Sequence, residues 1–269
     1  MLLIENGKKS MTLQKLKQYK IFESEKLLSL ELLKNQGFCN INYLLKTSKK
    51  DYLIRKFKND STVNISRAYE YAIQEKAFQK DIAAQPLLLD EKNQFMVCDF
   101  LKGKHKKTIN KKEIQLLAKN IKKLHKIKSN EKEYDLKKDL KNYKNILNNP
   151  EAQTSINICK KELKKLKKYK KELVTTHHDL NPKNILFHKN TIKFIDWEYV
   201  GVNDKFFDLA TICFEFGLNK KEEKILLKSY QKKIDEKDME KLHSYILIYE
   251  HLCKLWFISL NIKNIPKQK

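Results

Sequence analysis

The chain has 269 residues, enough to bury a substantial core as one domain or as two closely packed lobes. Its five cysteines are scattered without a C-x-x-C pair, which argues against a disulfide framework or a zinc site and favours reduced thiols in the cytosol. The first residues lack the sustained apolar region of a secretory leader. The longest apolar stretch, residues 245–260, is interrupted by charged side chains, so no membrane span is predicted.

The formal net charge of +24 would normally indicate nucleic acid or an anionic membrane surface as the partner. Of the 57 basic residues, however, only Arg55 and Arg67 are arginine. Proteins that read nucleic acid rely on the arginine fork. The lysines recur along the whole chain, in runs such as residues 160–172 that are typical of solvated helix faces. We therefore predict no specific nucleic-acid partner. Non-specific RNA or membrane association is the alternative, and a steep salt dependence of binding would reveal it.

The first hundred residues are predicted to form mostly strands and one helix. Alternating apolar residues predict the strands, and a 3.6-residue period predicts a helix over residues 66–80. The predicted strands are Asn42–Lys46, Tyr52–Phe57, Leu87–Leu89 and Phe95–Leu101, and the predicted apolar face of the helix comprises Ala68, Tyr71, Ala72, Ala77 and Phe78.

The segment LKGKHKKTIN, residues 101–110, contains a glycine and few apolar residues and is predicted to be a hinge. Helices are predicted after it at about 111–127 and 155–172, and again from residue 206 to the end. The expected fold class is α+β, with two lobes that meet in a cleft. The small β-sheet lobe is assigned to residues 1–102, and the larger, mainly helical lobe to residues 103–269.

The residues that point to chemistry lie in THHDLNPKNILFHKNTIKFIDWEYVGVNDKFFD, residues 176–208. His177, Asp179, Asn184 and Asp196 are spaced as in phosphoryl-transfer enzymes. Asp179 can take a proton from an alcohol, while Asn184 and Asp196 offer oxygen ligands to Mg²⁺. The alternative is that these residues only mark a turn before a hairpin. Two further acids, Asp204 and Asp208, follow at once and favour the catalytic interpretation.

A β-hairpin explains how two of these residues meet. Ile185–His188 and Ile192–Ile195 are predicted strands around a Lys189-Asn190 turn. Asn184 and Asp196 are each six residues from Asn190. We therefore expect the antiparallel hairpin to place them opposite each other, roughly 5 Å apart, a distance that one divalent cation can bridge.

The segments HHDLNPKN, IDWEY and NDKFFDLA resemble the choline/ethanolamine kinase family, above all its bacterial members that provide phosphocholine for surface polysaccharides. The likeness runs from about Gln36 to Trp256 and is strongest between His177 and Glu215. It implies the two-lobed protein-kinase-like fold that this family shares with aminoglycoside phosphotransferases. It also implies a kinase that uses ATP and Mg²⁺ to phosphorylate the hydroxyl of choline or ethanolamine, for surface polysaccharide modification or lipid synthesis.

The resemblance assigns roles in the larger lobe residue by residue. Asp179 matches the catalytic base, Asn184 and Asp196 match the metal ligands, and His177 matches the residue that braces the catalytic loop. Asp208 matches an acid that hydrogen-bonds the backbone of that loop. The alternative for Asp208 is an acid at a helix N-terminus, stabilised by the helix dipole.

The resemblance extends to the small lobe. QGFCNINYLL is similar to the loop that covers the nucleotide, with Gly37 and Asn40 in register and Cys39 in place of the usual hydroxyl residue. Glycine frees backbone N–H groups to point at phosphates. Arg55 matches the strand residue that grips the nucleotide phosphates, and Glu70 matches the acid that orients it.

The acceptor pocket is assigned in the same way. A quaternary ammonium has no N–H to donate, so its site needs aromatic faces and a carboxylate. Tyr199, Glu215 and Trp256 align with the choline-pocket positions of the family. Tyr249 lies seven residues before Trp256, on the same stripe of the final helix.

Other acceptors and one other class of protein stay open. A kinase of the same fold could act on thiamine, an aminoglycoside or an amino sugar. An aminoglycoside pocket should be acidic, whereas the C-terminal region here is more aromatic than acidic. A pseudokinase that binds nucleotide without catalysis is the alternative from another class, and the joint presence of Asp179, Asn184 and Asp196 argues against it. The sequence specifies no oligomeric state.

Overall fold

The structure is a computed structural model that describes residues 11–34, 40–58 and 66–260. Gly37 and Cys39 of the predicted nucleotide-covering loop lie outside the described residues. The chain divides into two compact units. Unit 1 comprises the residues up to 78 and residues 83–102, and unit 2 comprises residues 79–82 and those from 103 onward.

Unit 1 is built on an antiparallel five-stranded sheet in the order β1-β2-β3-β5-β4. Side chains of the central strand β3 alternate between two apolar clusters, because successive residues of a strand point to opposite faces. Strand β1 and the short helix α1 were not predicted. The elements are α1 (Leu13–Leu16), a 3₁₀ turn (Lys20–Phe22), β1 (Leu27–Leu32), β2 (Asn40–Thr47), β3 (Asp51–Phe57), α2 (Arg67–Gln79), β4 (Pro86–Asp90) and β5 (Phe95–Asp99).

Helix α2 lies where the sequence predicts it, but only part of its predicted apolar face is correct. Ala77 is buried, whereas Ala68 and Ala72 are exposed and the polar side chains of Glu70 and Gln74 are buried instead. Glu70 forms ion pairs with two arginines, and the Gln74 amide donates to a backbone carbonyl 3.1 Å away. Polar groups can occupy a buried face when they are paired in this way, and a pattern of apolar residues cannot reveal the pairing.

Unit 2 is mainly helical, with two small two-stranded sheets, β6–β9 and β7–β8. Helix α8 packs along α5 and contributes to an apolar cluster between them. Helix α4 and strands β6 and β9 were not predicted. The elements are α3 (Lys111–Leu124), α4 (Leu136–Ile146), α5 (Pro150–Leu166), β6 (Leu173–Thr176), β7 (Ile185–His188), β8 (Thr191–Phe194), β9 (Gly201–Asp204), α6 (Phe206–Glu215), α7 (Lys220–Tyr230) and α8 (Glu236–Ser259), with 3₁₀ turns at Pro182–Asn184 and Trp197–Tyr199.

Within the described residues, no helix combines the length and the apolar character that crossing a bilayer would require.

Capping residues fix where the helices of unit 2 begin. The Asn149 side chain accepts a hydrogen bond from the Ala152 N–H at 2.7 Å, and Pro150 occupies the first turn of α5. Asn110 and Glu113 form a reciprocal capping box at the start of α3. Asparagine before the first turn and proline within it are strong start signals. They explain why α5 begins at Pro150 and not near residue 155 as predicted.

The predicted hairpin is present as β7 and β8, but its predicted register is wrong by one residue. The strands pair around a two-residue turn, in which Lys189 has a φ of 50°. Asn184 therefore lies opposite Ile195, whose N–H donates to the Asn184 carbonyl at 3.0 Å. The prediction centred the turn on Asn190 and so placed Asp196 opposite Asn184. Two-residue turns with a positive φ match the natural twist of a hairpin, which explains the shorter loop.

The predicted hinge segment is attached to this hairpin. Lys104 and Phe187 exchange two backbone hydrogen bonds, each of 2.9 Å. A Cβ atom on Gly103 would lie 3.1 Å from the Leu186 Cβ and 3.2 Å from the Phe187 carbonyl oxygen. A side chain at position 103 would therefore crowd β7, which favours glycine where the segment approaches the strand.

Asp204, which the sequence groups with the catalytic acids, is fully buried at the end of β9. Its carboxylate accepts hydrogen bonds from the Lys241 Nζ at 2.7 Å and from the backbone N–H groups of Glu172 and Phe206 at 3.0 Å. The Lys241 Nζ also donates to the Lys170 carbonyl at 2.8 Å. These bonds join β9 to the start of α6 and to α8, so Asp204 has a structural role.

We expect Asp204→Ala to lower the free energy of unfolding by roughly 3 kcal/mol, because it leaves the buried Lys241 ammonium without its carboxylate. Urea denaturation measures the loss. The matched control is Glu240→Ala, since Glu240 pairs with Lys168 at 3.1 Å on the surface, and it should leave the unfolding midpoint nearly unchanged. Equal midpoints for wild type and Asp204→Ala would contradict the structural role.

Candidate active site

The loop after β6 carries Asp179, whose carboxylate is held by two amide groups. The Asn181 Nδ2 donates to Oδ1 and the Asn184 Nδ2 donates to Oδ2, each at 2.7 Å. The Asn184 Nδ2 also reaches the Asp179 backbone carbonyl at 2.9 Å. Because its nitrogen faces Asp179, the oxygen of the buried Asn184 amide is turned away from that carboxylate.

The carboxylate of Asp179 is largely buried and is affected by the charge of Asp196. Burial, with a smaller contribution from the negative charge of Asp196, raises the pKa of Asp179 to about 6. The hydrogen bonds from Asn181 and Asn184 act in the opposite direction. The predicted base is therefore bonded directly to Asn184 and lies within electrostatic range of Asp196.

A left-handed residue reconciles this grouping with the shifted hairpin register. Asp196 follows the end of β8 with φ 63° and ψ 68°, which breaks the alternation of a strand and starts a 3₁₀ turn. For a residue other than glycine this conformation costs about 1 kcal/mol. The next residue, Trp197, is buried, donates to the Phe194 carbonyl at 3.2 Å and packs 4.9 Å from the His177 ring. The buried indole anchors the turn.

The donor set of Asn184 and Asp196 fits Mg²⁺. Both offer hard oxygen atoms, an amide and a carboxylate. In proteins Mg²⁺ is commonly held by one or two carboxylates together with the phosphates of a substrate. The orientation of the Asn184 amide, with its nitrogen committed to Asp179, leaves the oxygen as the atom suited to a cation.

Asp208 holds the backbone of the loop that carries Asp179. It is fully buried on the first turn of α6, and its two oxygens accept the N–H groups of His177 and His178 at 2.9 and 3.0 Å. Burial alone would raise the pKa of Asp208, but the hydrogen bond and charge of His125 hold that pKa below its ordinary value. The buried His177 ring lies 3.1 Å, through Nε2, from the Ile195 carbonyl and so bridges the loop to the end of the hairpin.

His178, which the sequence did not single out, has a ring that packs beside the loop of Asp179. Its Nδ1 donates to the Tyr199 carbonyl at 2.9 Å, and its Nε2 accepts from the Asn203 amide at 3.1 Å. The ring also packs 5.0 Å from Phe207, and burial lowers its pKa, which favours the neutral form. A Cβ on Gly201 would lie 3.0 Å from the His178 Cε1, so the glycine makes room for the ring.

The predicted acceptor residues Glu215 and Tyr249 lie together. The Tyr249 hydroxyl donates to the Glu215 Oε1 at 2.8 Å, and its ring packs against Phe214 and Phe207 at 5.6 and 6.0 Å. Burial raises the pKa of Glu215, and the charge of Asp179 raises it further. A carboxylate with aromatic neighbours therefore lies within electrostatic reach of the predicted base.

The other two predicted acceptor residues are half-buried, and their pocket role stays a prediction. Tyr199 ends the 3₁₀ turn after Asp196, and Trp256 lies two turns beyond Tyr249 on α8. Cys253, which the sequence did not single out, lies one turn beyond Tyr249. Burial and the charge of Glu215 raise the pKa of its thiol to about 12.

Unit 1 contains a separate charged network around Glu70, whose carboxylate is fully buried. Arg55 donates to one carboxylate oxygen, and Arg67 donates to the other at 2.6 Å. Arg67 also reaches the Asn40 side chain at 3.3 Å and stacks 4.1 Å above the Phe57 ring. The predicted nucleotide-binding residues Arg55, Glu70 and Asn40 thus belong to one network, and Arg67 connects them.

Comparisons with known proteins agree with this architecture. The family model for choline/ethanolamine kinase matches residues 24–257. Protein LicA of Haemophilus influenzae is 25% identical over 243 residues, which cover 84% of this chain and 71% of that protein. The crystal structure of the choline kinase LicA from Streptococcus pneumoniae has a TM-score of 0.77 at 22% identity, covering 95% of this chain and 93% of that one.

The fold is also found in antibiotic kinases. A spectinomycin phosphotransferase solved with ADP and spectinomycin has a TM-score of 0.66 at 14% identity, covering 94% of this chain and 88% of that one. These likenesses confirm the predicted α+β, protein-kinase-like fold. Because the family model spans most of the sequence, the predicted resemblance is confirmed as well, and the chain belongs to the choline/ethanolamine kinase family of small-molecule phosphotransferases.

Proposed function

We propose that the protein is an ATP-dependent choline kinase, which transfers the γ-phosphate to the hydroxyl of choline or of the related ethanolamine. The supporting observation is the group formed by Asp179, Asn184 and Asp196, with the Glu215–Tyr249 pair in electrostatic reach of Asp179. The product, phosphocholine, would serve surface polysaccharide modification or lipid synthesis in the cytosol. The LicA relatives support the choice of acceptor.

Asp179 is the proposed catalytic base. Its ionised carboxylate would accept a hydrogen bond from the acceptor hydroxyl and align it for attack. Asn181 and Asn184 already fix the direction of both carboxylate oxygens. In phosphoryl transfer the protein itself forms few covalent bonds. Positioning of the reactants and electrostatic stabilisation therefore provide most of the rate acceleration.

The nucleotide would be held both by metal ligands and by a positively charged side chain. Asn184 and Asp196 are the proposed ligands of Mg²⁺, which when bound neutralises charge on the phosphates. Arg55 is proposed to grip the phosphates, with its guanidinium oriented by Glu70. The neighbour solved with ADP supports a nucleotide as the phosphate donor.

A cationic alcohol suits the acceptor residues. Burial raises the pKa of Glu215, and repulsion from the Asp179 carboxylate raises it further. An ammonium group placed beside the two carboxylates would relieve that repulsion. Tyr249 donates to the Glu215 carboxylate, and its ring packs against Phe214. A trimethylammonium group, which cannot donate hydrogen bonds, binds to such faces by charge and ring contact.

A phosphorylation screen with Mg·ATP and four acceptors tests the function: choline, ethanolamine, thiamine and kanamycin. We expect the highest kcat/KM with choline, because its charge and size match one carboxylate and a few aromatic rings. Turnover of kanamycin or thiamine alone would overturn the choice of acceptor and keep the phosphotransferase. Nucleotide binding without transfer to any alcohol would favour the pseudokinase alternative.

Asp179→Asn should lower kcat by about 10²–10⁴-fold, because the amide cannot accept the hydroxyl proton. Calorimetry with Mg·ADP should give nearly the wild-type affinity, since the substitution keeps the size of the side chain. The matched control is Asp81→Asn, the same change at an exposed acid of unit 2 that pairs with Lys193. Near-normal turnover in Asp179→Asn would remove Asp179 from the role of base.

Glu215→Gln should raise KM for choline about tenfold or more, because a hydrogen-bonded charge next to the ammonium is lost. KM for ATP should stay within about twofold of wild type. The neutral isostere 3,3-dimethylbutanol separates charge from shape: wild type should prefer choline over it, and Glu215→Gln should narrow that preference. Glu250→Gln, which affects an acid paired with Lys254 on α8, is the control. An unchanged preference in Glu215→Gln would exclude its carboxylate from ammonium binding.

A further inference from the structure

A small side chain separates two aromatic residues on one stripe of α8. Tyr249, Cys253 and Trp256 are spaced by four and by three residues, so the helix places them on one face. Cys253 is half-buried, whereas the other cysteines that the structure describes are buried. Its thiol is therefore accessible on the face of α8 that carries the two predicted acceptor residues.

The thiol adjoins the carboxylate proposed to meet the ammonium group. Side chains of a helix lean toward its N-terminus, so Cys253 leans toward Tyr249. The Tyr249 hydroxyl donates to Glu215 at 2.8 Å and also interacts with the Cys253 thiol. Burial raises the pKa of that thiol, and the charges of Glu215 and Asp179 raise it further. Cys253 therefore lies within electrostatic reach of both acids.

Helix α4 approaches the same thiol. Tyr143 packs against the apolar cluster formed by α4, α5 and α8. Burial and the charges of Asp139 and Cys253 raise the pKa of Tyr143 to about 12, so its hydroxyl lies within electrostatic reach of the thiol. A larger side chain at position 253 would take up space beside the Glu215–Tyr249 pair, since packed interiors hold few voids.

We propose that Cys253 is a specificity-determining residue of the acceptor site, whose small side chain leaves space beside Glu215 for the methyl groups of choline. The inference rests on the proposed function and deepens it, because it favours choline over ethanolamine. The ammonium of ethanolamine is small and can donate N–H groups to a carboxylate. The trimethylammonium group is wider, cannot donate, and binds by charge and contact. A larger residue at position 253 would therefore exclude choline before it excludes ethanolamine.

Substitution by a larger apolar residue tests the role of size. Cys253→Leu should raise KM for choline about tenfold or more, because one added methylene in a fitted pocket changes specificity about 10–200-fold. KM for ethanolamine and for ATP should stay within about threefold of wild type. Cys253→Ser keeps the size of the side chain and is the matched control. Lys237→Leu, at an exposed position of α8, controls for the added leucine.

The decisive quantity is the ratio of kcat/KM for choline to kcat/KM for ethanolamine, which does not depend on the fraction of folded enzyme. Both controls should keep the wild-type ratio within about twofold. A fall of less than about threefold in Cys253→Leu would overturn the proposal, because a loss shared by both acceptors reflects the fold and not the fit. If Cys253→Leu does not fold, Cys253→Val adds less volume and should still lower the ratio at least threefold or so.

Thiol labelling tests the position of Cys253 without any turnover. Two thiosulfonate reagents are compared, one ending in the trimethylammonium group of choline and one in a sulfonate, and mass spectrometry identifies the modified peptide. In a chain with a formal net charge of +24, the anion should react faster at an average thiol. At Cys253 we expect the cation to react about tenfold faster, because Glu215 and Asp179 attract it. Glu215→Gln should reduce that preference, and choline should slow labelling by the cation.

Equal rates for the two reagents at Cys253, or a preference for the anion, would overturn its position beside the ammonium site. The labelling result is independent of the proposed function. If wild type phosphorylates neither choline nor ethanolamine, the proposed function is refuted, and the labelling ratio still decides whether Cys253 borders a site for a cation.

Discussion

The rest of the site depends on one buried carboxylate, Asp208, and on the two backbone N–H groups that it accepts. A buried charge is tolerated only when it is paired and hydrogen-bonded, so Asp208 can stay ionised in the core only while the loop of His177 and His178 closes over it. The loop in turn has a fixed path only while Asp208 is there. This mutual requirement fixes the position of Asp179, the next residue along the chain. His125 gives the Asp208 carboxylate a further hydrogen bond.

The protein uses acids in two contrasting ways. Glu70 is enclosed by Arg55 and Arg67, so its charge is matched within unit 1. Around Asp179 acids act on acids instead: the charge of Asp196 raises the pKa of Asp179, and the charge of Asp179 raises the pKa of Glu215. Negative charge is therefore concentrated there in a chain whose formal net charge is +24. The first arrangement suits orientation of a cation that faces phosphates. The second suits a site that takes up a metal ion and an ammonium group.

Part of the site could be predicted from sequence because the information is local. Asp179 and Asn184 are five residues apart in one loop, and the side chain of one bonds the other directly. The predicted register of the hairpin was wrong because adding one residue to a turn changes the partner of every residue in both strands. The residue types in the turn do not determine its length. The buried face of α2 was missed because Glu70 becomes an interior residue only after strand β3 presents Arg55 to it.

The sequence alone determined the kinase-like fold class, the family, the loop that carries Asp179 and the hairpin that follows it. Short motifs and local periodicity are enough to predict these features. Tertiary structure decided which distant side chains complete the site. His125 and Tyr230 are 105 residues apart, and Glu215 and Tyr249 are 34 apart, yet each pair shares one hydrogen bond. No sequence pattern links such residues, because their contact is created only when helices pack and bury polar groups that must then find partners.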